Sequence, residues 1–402
     1  MDKRWVKFPE VLFFQEGPGV RNTQYTSEGV KLLNVANLVN GKVDISNSDR
    51  FISRDEAYGK YKHFLCDNGD FIIASSGIKV EYIDKKMGFI DKSMLPLCMN
   101  TSTIRFKVLN SKELNIRYFM YYLKSRHFKL QLAKQITGSA QLNYGPSHLK
   151  DMCLPIVDIY IQNNIVEILD KIQSMINICE AKIEKLDILV RARFVEMFGD
   201  TIINSRGLNT LPMSEICEII DGDRGKNYPT VDEFYDEGYC LFLNAKNVTS
   251  KGFCFDNCMF ISKEKNKLLR NGKLNRGDIV LTTRGTLGNL AFYGDNIPFE
   301  NIRINSGMVI LRMRNDIMNE IYFIEQFKMQ LEYIKKKVAS GSAQPQLPIS
   351  TMKKIQILIP DIEKQREFAE FEKYIDKSKV EVQKALDKAQ LLFDSLMQKY
   401  FE

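Results

Sequence analysis

The chain has 402 residues, 44% of them hydrophobic and 27% charged, which is enough apolar material for two cores. Its 57 Lys and Arg against 50 Asp and Glu leave a formal charge of +7; this is a mixed surface with a basic surplus, which permits nucleic-acid binding without demanding it and excludes a histone-like tail. No uncharged apolar window of about 18 residues occurs, Met1-Asp2-Lys3-Arg4 opens no signal peptide, and the eight cysteines are scattered, so reduced thiols in a cytoplasmic protein without a membrane span are expected.

In chain order, Trp5, Phe8, Val11, Leu12, Phe13 and Phe14 predict core or helix-face positions. Glu16–Arg21, punctuated by Gly17, Pro18 and Gly19, reads as a loop. Lys31–Leu38 reads as a strand and turn, Gly41–Phe51 as a polar loop, and Phe71–Ser75 as a buried strand entering the turn Ser75-Ser76-Gly77. Ile116, Phe119, Tyr122, Leu123 and Leu130 give Asn115–Leu132 helical spacing. From an N-cap at Asp158, apolar residues recur three and four apart through Ile161, Ile165, Ile168 and Ile172 to Met197, predicting a rod of about 60 Å. The loop Asp221–Pro229, the strands Tyr239–Leu243 and Ile279–Thr282, and the helix Tyr322–Val338 follow. After Pro360 a second rod carries Ile362, Gln365, Phe368, Ile375, Val382, Leu386, Phe393 and Tyr400 on a 3.5-residue repeat.

These elements are two copies of one unit. Gly138-Ser139-Ala140-Gln141 recurs as Gly341-Ser342-Ala343-Gln344, and at the same offset Asp158, Gln162 and Phe198 fall on Asp361, Gln365 and Phe401. Upstream, Leu33-Asn34-Val35-Ala36-Asn37-Leu38 returns as Leu243-Asn244-Ala245-Lys246-Asn247-Val248, and Gly69-Asp70 as Gly277-Asp278. A long helix with one apolar stripe needs a partner, and the other copy supplies it. The short segment between Phe198 and Leu211 favours an antiparallel pair. The expected fold is therefore two α/β (α+β) domains, diverged copies joined by a long antiparallel two-helix coiled coil with pseudo-twofold symmetry. The expected bounds are 1–150 and 205–350 for the domains, 155–199 and 358–402 for the helices.

No catalytic constellation stands out. His63, His127 and His148 are isolated, the glycines of Asp221–Gly225 lack the context of a nucleotide loop, and Cys254 with Cys258 are too few for zinc. The loop Thr283-Arg284-Gly285-Thr286-Leu287-Gly288-Asn289 suits DNA: Thr283, Arg284, Thr286 and Asn289 offer donors and a guanidinium beside glycines that permit close approach. It reads equally as a polar turn closing two strands. Ser75, Ser76 and Lys79 form its counterpart in the first copy. Ser139, Gln141, Ser342 and Gln344 could meet grooves and phosphates or cap the elements that follow. Arg21, Arg224 and Lys226 sit on glycine loops of the kind that carry function. Tyr118, Phe119, Tyr121, Tyr122, Phe128, Tyr322, Phe323 and Phe327 have helical spacing and are expected in cores.

Taken together, the opening loops, the Leu-Asn repeat, the Gly-Asp strands, the Gly-Ser-Ala-Gln turns and the Pro-then-Gln helix starts resemble the specificity subunit of type I restriction–modification systems. The resemblance implies two target-recognition domains that read the halves of a bipartite DNA sequence, spaced by the paired helices. It implies no cofactor in this chain and no catalysis by it. The implied partners are double-stranded DNA, two modification subunits that bind S-adenosylmethionine and methylate adenine N6, and, in restricting systems, ATP-dependent restriction subunits. The rival from another class is a protein-assembly scaffold without sequence-specific DNA recognition.

Overall fold

The computed structural model describes residues 3–47, 49–135, 144–339 and 346–402, with the side chains of 337–339 left aside. The chain divides into two units, one of residues 1–180 with 384–402 and one of residues 181–383, so each boundary falls inside a long helix.

Both units are built on the same sheets. In the first, an antiparallel four-stranded sheet runs in the order Leu12–Glu16, Thr103–Val108, Phe71–Ala74, Met87–Phe89. A three-stranded sheet places Val30–Leu33 between Phe51–Ile52 and Leu97–Met99, parallel to the latter. The second unit repeats both: Cys217–Asp221, Met308–Met313, Ile279–Thr282, Leu290–Phe292, and then Cys240–Leu243 between Phe260–Ile261 and parallel Ile302–Ile304. The central strands Phe71–Ala74 and Ile279–Thr282 are buried along their whole length, which explains why all but the closing Thr282 are apolar. Trp5 and Phe13, expected inside, are 45% and 43% exposed. They lie on strands whose alternate residues Val6 and Leu12 take the core-facing positions.

The sequence repeats have structural meanings. In each Leu-Asn motif the second asparagine is buried and its side-chain oxygen accepts the backbone N–H of the first, at 2.9 Å for Asn37 to Asn34 and 2.9 Å for Asn247 to Asn244. In each Gly-Asp motif the glycine is left-handed, with φ of 87° at Gly69 and 90° at Gly277. The buried aspartate then takes an arginine from the neighbouring strand: Arg105 Nη1 to Asp70 at 3.1 Å, and Arg312 to both oxygens of Asp278 at 2.9 Å.

The helical spacing over Asn115–Leu132 resolves into two helices, Ile116–Lys124 and Arg126–Gln135. They are broken at Ser125, whose hydroxyl accepts the Phe128 N–H at 3.2 Å. Its counterpart Glu320–Ala339 is continuous. Tyr118, Phe119, Tyr121, Tyr122 and Phe128 are buried, as are Tyr322, Phe323 and Phe327.

The two long helices, Ile159–Phe198 and Ile362–Phe401, each have 40 residues. Each starts on the same device. Asp158 Oδ1 accepts Tyr160 N–H and Asp361 Oδ1 accepts Glu363 N–H, both at 2.8 Å. One turn on, a fully buried glutamine ties three backbone groups together. Gln162 accepts the Asn115 N–H at 3.0 Å and donates to Glu113 and Val157 carbonyls, each at 2.8 Å. Gln365 accepts the Asn319 N–H at 2.9 Å and donates to Ile317 and Pro360 carbonyls at 3.1 and 2.9 Å.

Within the first unit, Ile165, Leu169, Ile172 and Ile176 share a core with Ala389, Phe393, Met397 and Phe401. Within the second, Val190, Phe194 and Phe198 share one with Phe368 and Ile375, and Arg193 pairs Glu367 at 3.0 Å while Lys379 pairs Asp187 at 2.7 Å. Glu372, in the same unit, is pushed up to about 7 by burial and by the Asp376 and Glu325 carboxylates, with Lys328 and Lys379 acting against the shift.

Replacing Gln162 or Gln365 with alanine strands one N–H and two carbonyls and is expected to cost on the order of 3 kcal/mol, seen as a lowered melting temperature of the full chain. Glu372 holds its proton in the folded state above the pH at which the unfolded chain releases it. Stability is therefore expected to fall as pH rises from about 4.5 to about 7. Glu372→Gln should remove that loss, raising stability at pH 8 by about 1–3 kcal/mol and leaving it unchanged near pH 4, as measured by urea unfolding at the two pH values.

Candidate nucleic-acid interface

In the second unit the strand Cys217–Asp221 runs into Gly222, where a Cβ would lie 2.2 Å from the Asn305 carbonyl oxygen, so only glycine fits. Arg224 is exposed, with Nη2 3.1 Å from Asp221 Oδ1 and 3.2 Å from the Ser306 carbonyl. Lys226 is exposed, and no acid pairs with it among the described residues. The loop after the strand Ile279–Thr282 reaches the same turn: the Thr283 and Arg284 N–H groups donate to the Gly307 carbonyl at 2.8 and 3.2 Å. Asn305–Gly307 thus anchors both loops.

The predicted residues of the second loop divide by role. Thr283 is buried and its hydroxyl also donates to the Gly307 carbonyl, at 3.0 Å. Asn289 spends its amide on the Val248 carbonyl at 2.9 Å, and its N–H donates to the Thr282 hydroxyl. Both shape the loop. Arg284 and Thr286 are exposed around Gly285, whose φ is 73°. Arg284 has no ion pair among the described residues.

The first unit repeats the plan. A Cβ on Gly17 would lie 2.1 Å from the Asn100 carbonyl oxygen, and the Asn100 side chain accepts the Val20 N–H at 3.3 Å. Ser75 N–H donates to the Ser102 carbonyl at 2.8 Å and the Ser76 hydroxyl to that of Ser102 at 2.6 Å. The turn Asn100–Ser102 therefore gathers the loops that carry Arg21 and Lys79, both exposed cations. Ser75 is buried, its hydroxyl 3.3 Å from Glu16 and its carbonyl held by the Tyr144 N–H at 3.0 Å, so it is a scaffold residue. Ser139, Gln141, Ser342 and Gln344 lie outside the described residues.

Sequence reasoning passed over a third loop in the second unit. Arg270 and Asn271 line a cleft of about 460 Å³ together with residues 221–227. The only signal was the turn-forming Asn271-Gly272 pair. His148 accepts the Gly145 N–H on Nδ1 at 3.1 Å. Burial pushes the thiols of Cys98 and Cys217 up to about 12 and that of Cys240 up to about 11, so these are packed apolar groups in place of nucleophiles. No helix among the described residues is long and apolar enough to cross a membrane.

Cations displayed on glycine-bearing loops, anchored by backbone hydrogen bonds and largely without facing carboxylates, suit a polyanion. The family model for the type I restriction modification DNA specificity domain matches this chain twice, over residues 25–187 and 206–391. The chain belongs to that family. Its members are specificity subunits, the non-catalytic component of such systems. The type I restriction enzyme MjaVIII specificity subunit of Methanocaldococcus jannaschii is 25% identical over 186 residues, which cover 45% of this chain and 42% of that relative, so the match spans less than half of the relative's length. The S subunit of the type I restriction–modification system of M. genitalium shares the fold, with a TM-score of 0.59 at 18% identity over 100% of this chain and 96% of that one. A chain solved in work on complex assembly and conformational transition of the type I R-M system gives a TM-score of 0.52 at 14% identity, covering 99% and 97% of the two chains.

Gly17→Ala and Gly222→Ala force a methyl against a carbonyl oxygen and are expected to destabilise the chain by about 2 kcal/mol or more, whereas Gly19→Ala, with nothing within 4 Å, should leave the melting temperature unchanged.

Proposed function

We propose that this chain is the DNA-reading subunit of a type I modification system, each unit recognising one half of a bipartite duplex sequence. The observation that carries the reading is the duplicated loop pair: in each unit two cation-bearing loops meet on one turn, at Asn100–Ser102 and at Asn305–Gly307. The cations differ between the copies. Lys79 in one stands where the other offers Arg284, whose fork can bridge guanine O6 and N7, so the half-sites differ. Recognition domains 1–150 and 205–350 and helical segments 155–199 and 358–402 are the working bounds.

The helices act as an antiparallel coiled-coil spacer that relates the units by a pseudo-twofold axis. In support, going back along the first helix from Arg193 to Asp187 accompanies going forward along the second from Glu367 to Lys379. Outer faces of the helices dock two modification subunits. Those subunits carry S-adenosylmethionine and methylate adenine N6, and this chain selects the site in the cytoplasm. In a restricting system, ATP-dependent restriction subunits join the same assembly.

Adenine methylation mapped base by base across a host genome, with the modification partner present and this chain present or deleted, tests the reading. One bipartite motif with a fixed gap should lose methylation on deletion. Exchanging residues 205–350 for another such domain should change one half of the motif and leave the other. An active partner whose pattern does not change on deletion would leave the chain as an assembly scaffold.

A further inference from the structure

We propose that Arg270 is a third DNA-contacting cation of the second unit, binding a backbone phosphate, and that Asp223 is the positioning residue that fixes it beside Arg224 and Lys226. The inference rests on the reading of that unit as a DNA reader and adds a loop to it.

Asp223 is only 8% exposed and lies between two loops. One carboxylate oxygen accepts the Gly225 N–H at 2.9 Å and the other the Arg270 N–H at 2.7 Å. Burial opposes its charge, but these donors, with the backbone N–H groups of Asn271 and Arg224, hold the carboxyl below its ordinary range. The carboxylate is therefore ionised and occupied by main-chain donors. It locks the 221–227 loop to the 270–271 loop, and no side-chain cation pairs with it among the described residues.

The cleft carries three cations, Arg224, Lys226 and Arg270, against two carboxylates, Asp221 and Asp223. Arg224 has Asp221, at 3.1 Å. Lys226 and Arg270 are exposed, with no ion pair among the described residues. Like charges held on the walls of one cleft by a rigid clamp repel each other, and a bound anion relieves that repulsion. Lys226 is a point charge suited to phosphate, and a guanidinium such as Arg270 can grip two phosphate oxygens. The cleft has a volume of about 460 Å³, enough to admit a phosphate with its sugar. The loop with Arg284 at its glycine tip is left to approach base edges.

The device belongs to one unit. Gly17 and Gly222 meet equivalent carbonyls, at Asn100 and Asn305, and the residue that follows is Pro18 in the first unit where the second has Asp223. Proline cannot provide a carboxylate clamp, so the half-site read by the first unit should not depend on one.

The test uses the full chain assembled with its modification subunits and measures affinity against salt concentration, on the cognate duplex and on one altered in a half-site. Arg270→Ala should weaken both duplexes by a similar factor, about tenfold, and lower the slope of log affinity against log salt by roughly 0.9, with an unchanged melting temperature. Arg270→Lys should restore most of the affinity. Asp223→Asn should weaken binding, and Arg270→Ala should then add little in that background.

If Arg270→Ala leaves affinity and slope unchanged while Arg284→Ala weakens binding, the inference is overturned and the DNA reading stands. If alanine at Arg224, Lys226, Arg270 and Arg284 together changes nothing, the reading of this unit falls as well. A loss confined to the cognate duplex would overturn the phosphate assignment. Additive losses from Asp223→Asn and Arg270→Ala would overturn the positioning role, and Arg270→Ala, at an exposed side chain, tests the contact even if Asp223→Asn fails to fold.

Discussion

A buried glutamine amide at the start of each long helix is the constraint on which the rest depends. Gln162 and Gln365 have no exposed surface, and each satisfies one N–H and two carbonyls that would otherwise be unpaired away from water. The amide is the one side-chain group of that length that can both accept and donate twice. It joins the N-terminus of the domain helix to the residue just before the long helix, so the direction in which the rod leaves its sheet is set by hydrogen bonds with defined geometry. Apolar packing alone would leave that direction loose, because it is not directional.

The same division of labour appears in the candidate loops. Buried Thr283 and Asp223 and half-buried Asn289 are occupied by main-chain partners, buried Ser75 places its hydroxyl on Glu16, and the exposed cations Arg21, Lys79, Lys226 and Arg284 have no ion pair among the described residues. A loop that must present cations to a partner of fixed shape is held by its neutral and acidic members, and the cations remain available. Phosphate contacts position such a protein and base-edge contacts specify its target, so a scaffold of this kind can change the target by changing a few exposed side chains.

Much of the fold was legible in the sequence because its repeats are bonding devices. Asn37 and Asn247 build a turn, Asp70 and Asp278 take an arginine from the next strand, and Gln162 and Gln365 fasten a helix, so drift at these positions is costly and the pattern survives between the copies. The apolar runs Phe71–Ala74 and Ile279–Leu281 announced buried strands. The site was less legible. Thr283 and Asn289 look like ligand donors on paper, and only their distances to the Gly307 and Val248 carbonyls assign them to the scaffold. Arg270 was invisible because nothing in Leu269-Arg270-Asn271 reveals that a carboxylate far earlier in the chain holds its backbone. Likewise the break at Ser125 leaves the helical spacing of its flanks intact.

The division of the chain carries a consequence for its synthesis. The unit formed by residues 181–383 is one uninterrupted stretch, whereas the unit that begins at the N-terminus also needs residues 384–402, and Phe401 is fully buried in its core. The unit of residues 1–180 therefore cannot complete its core until residues 384–402 have been made, after the whole of residues 181–383. A stop codon just before residue 384 would spare the unit of residues 181–383 and strip the packing of residues 384–402 from the unit of residues 1–180.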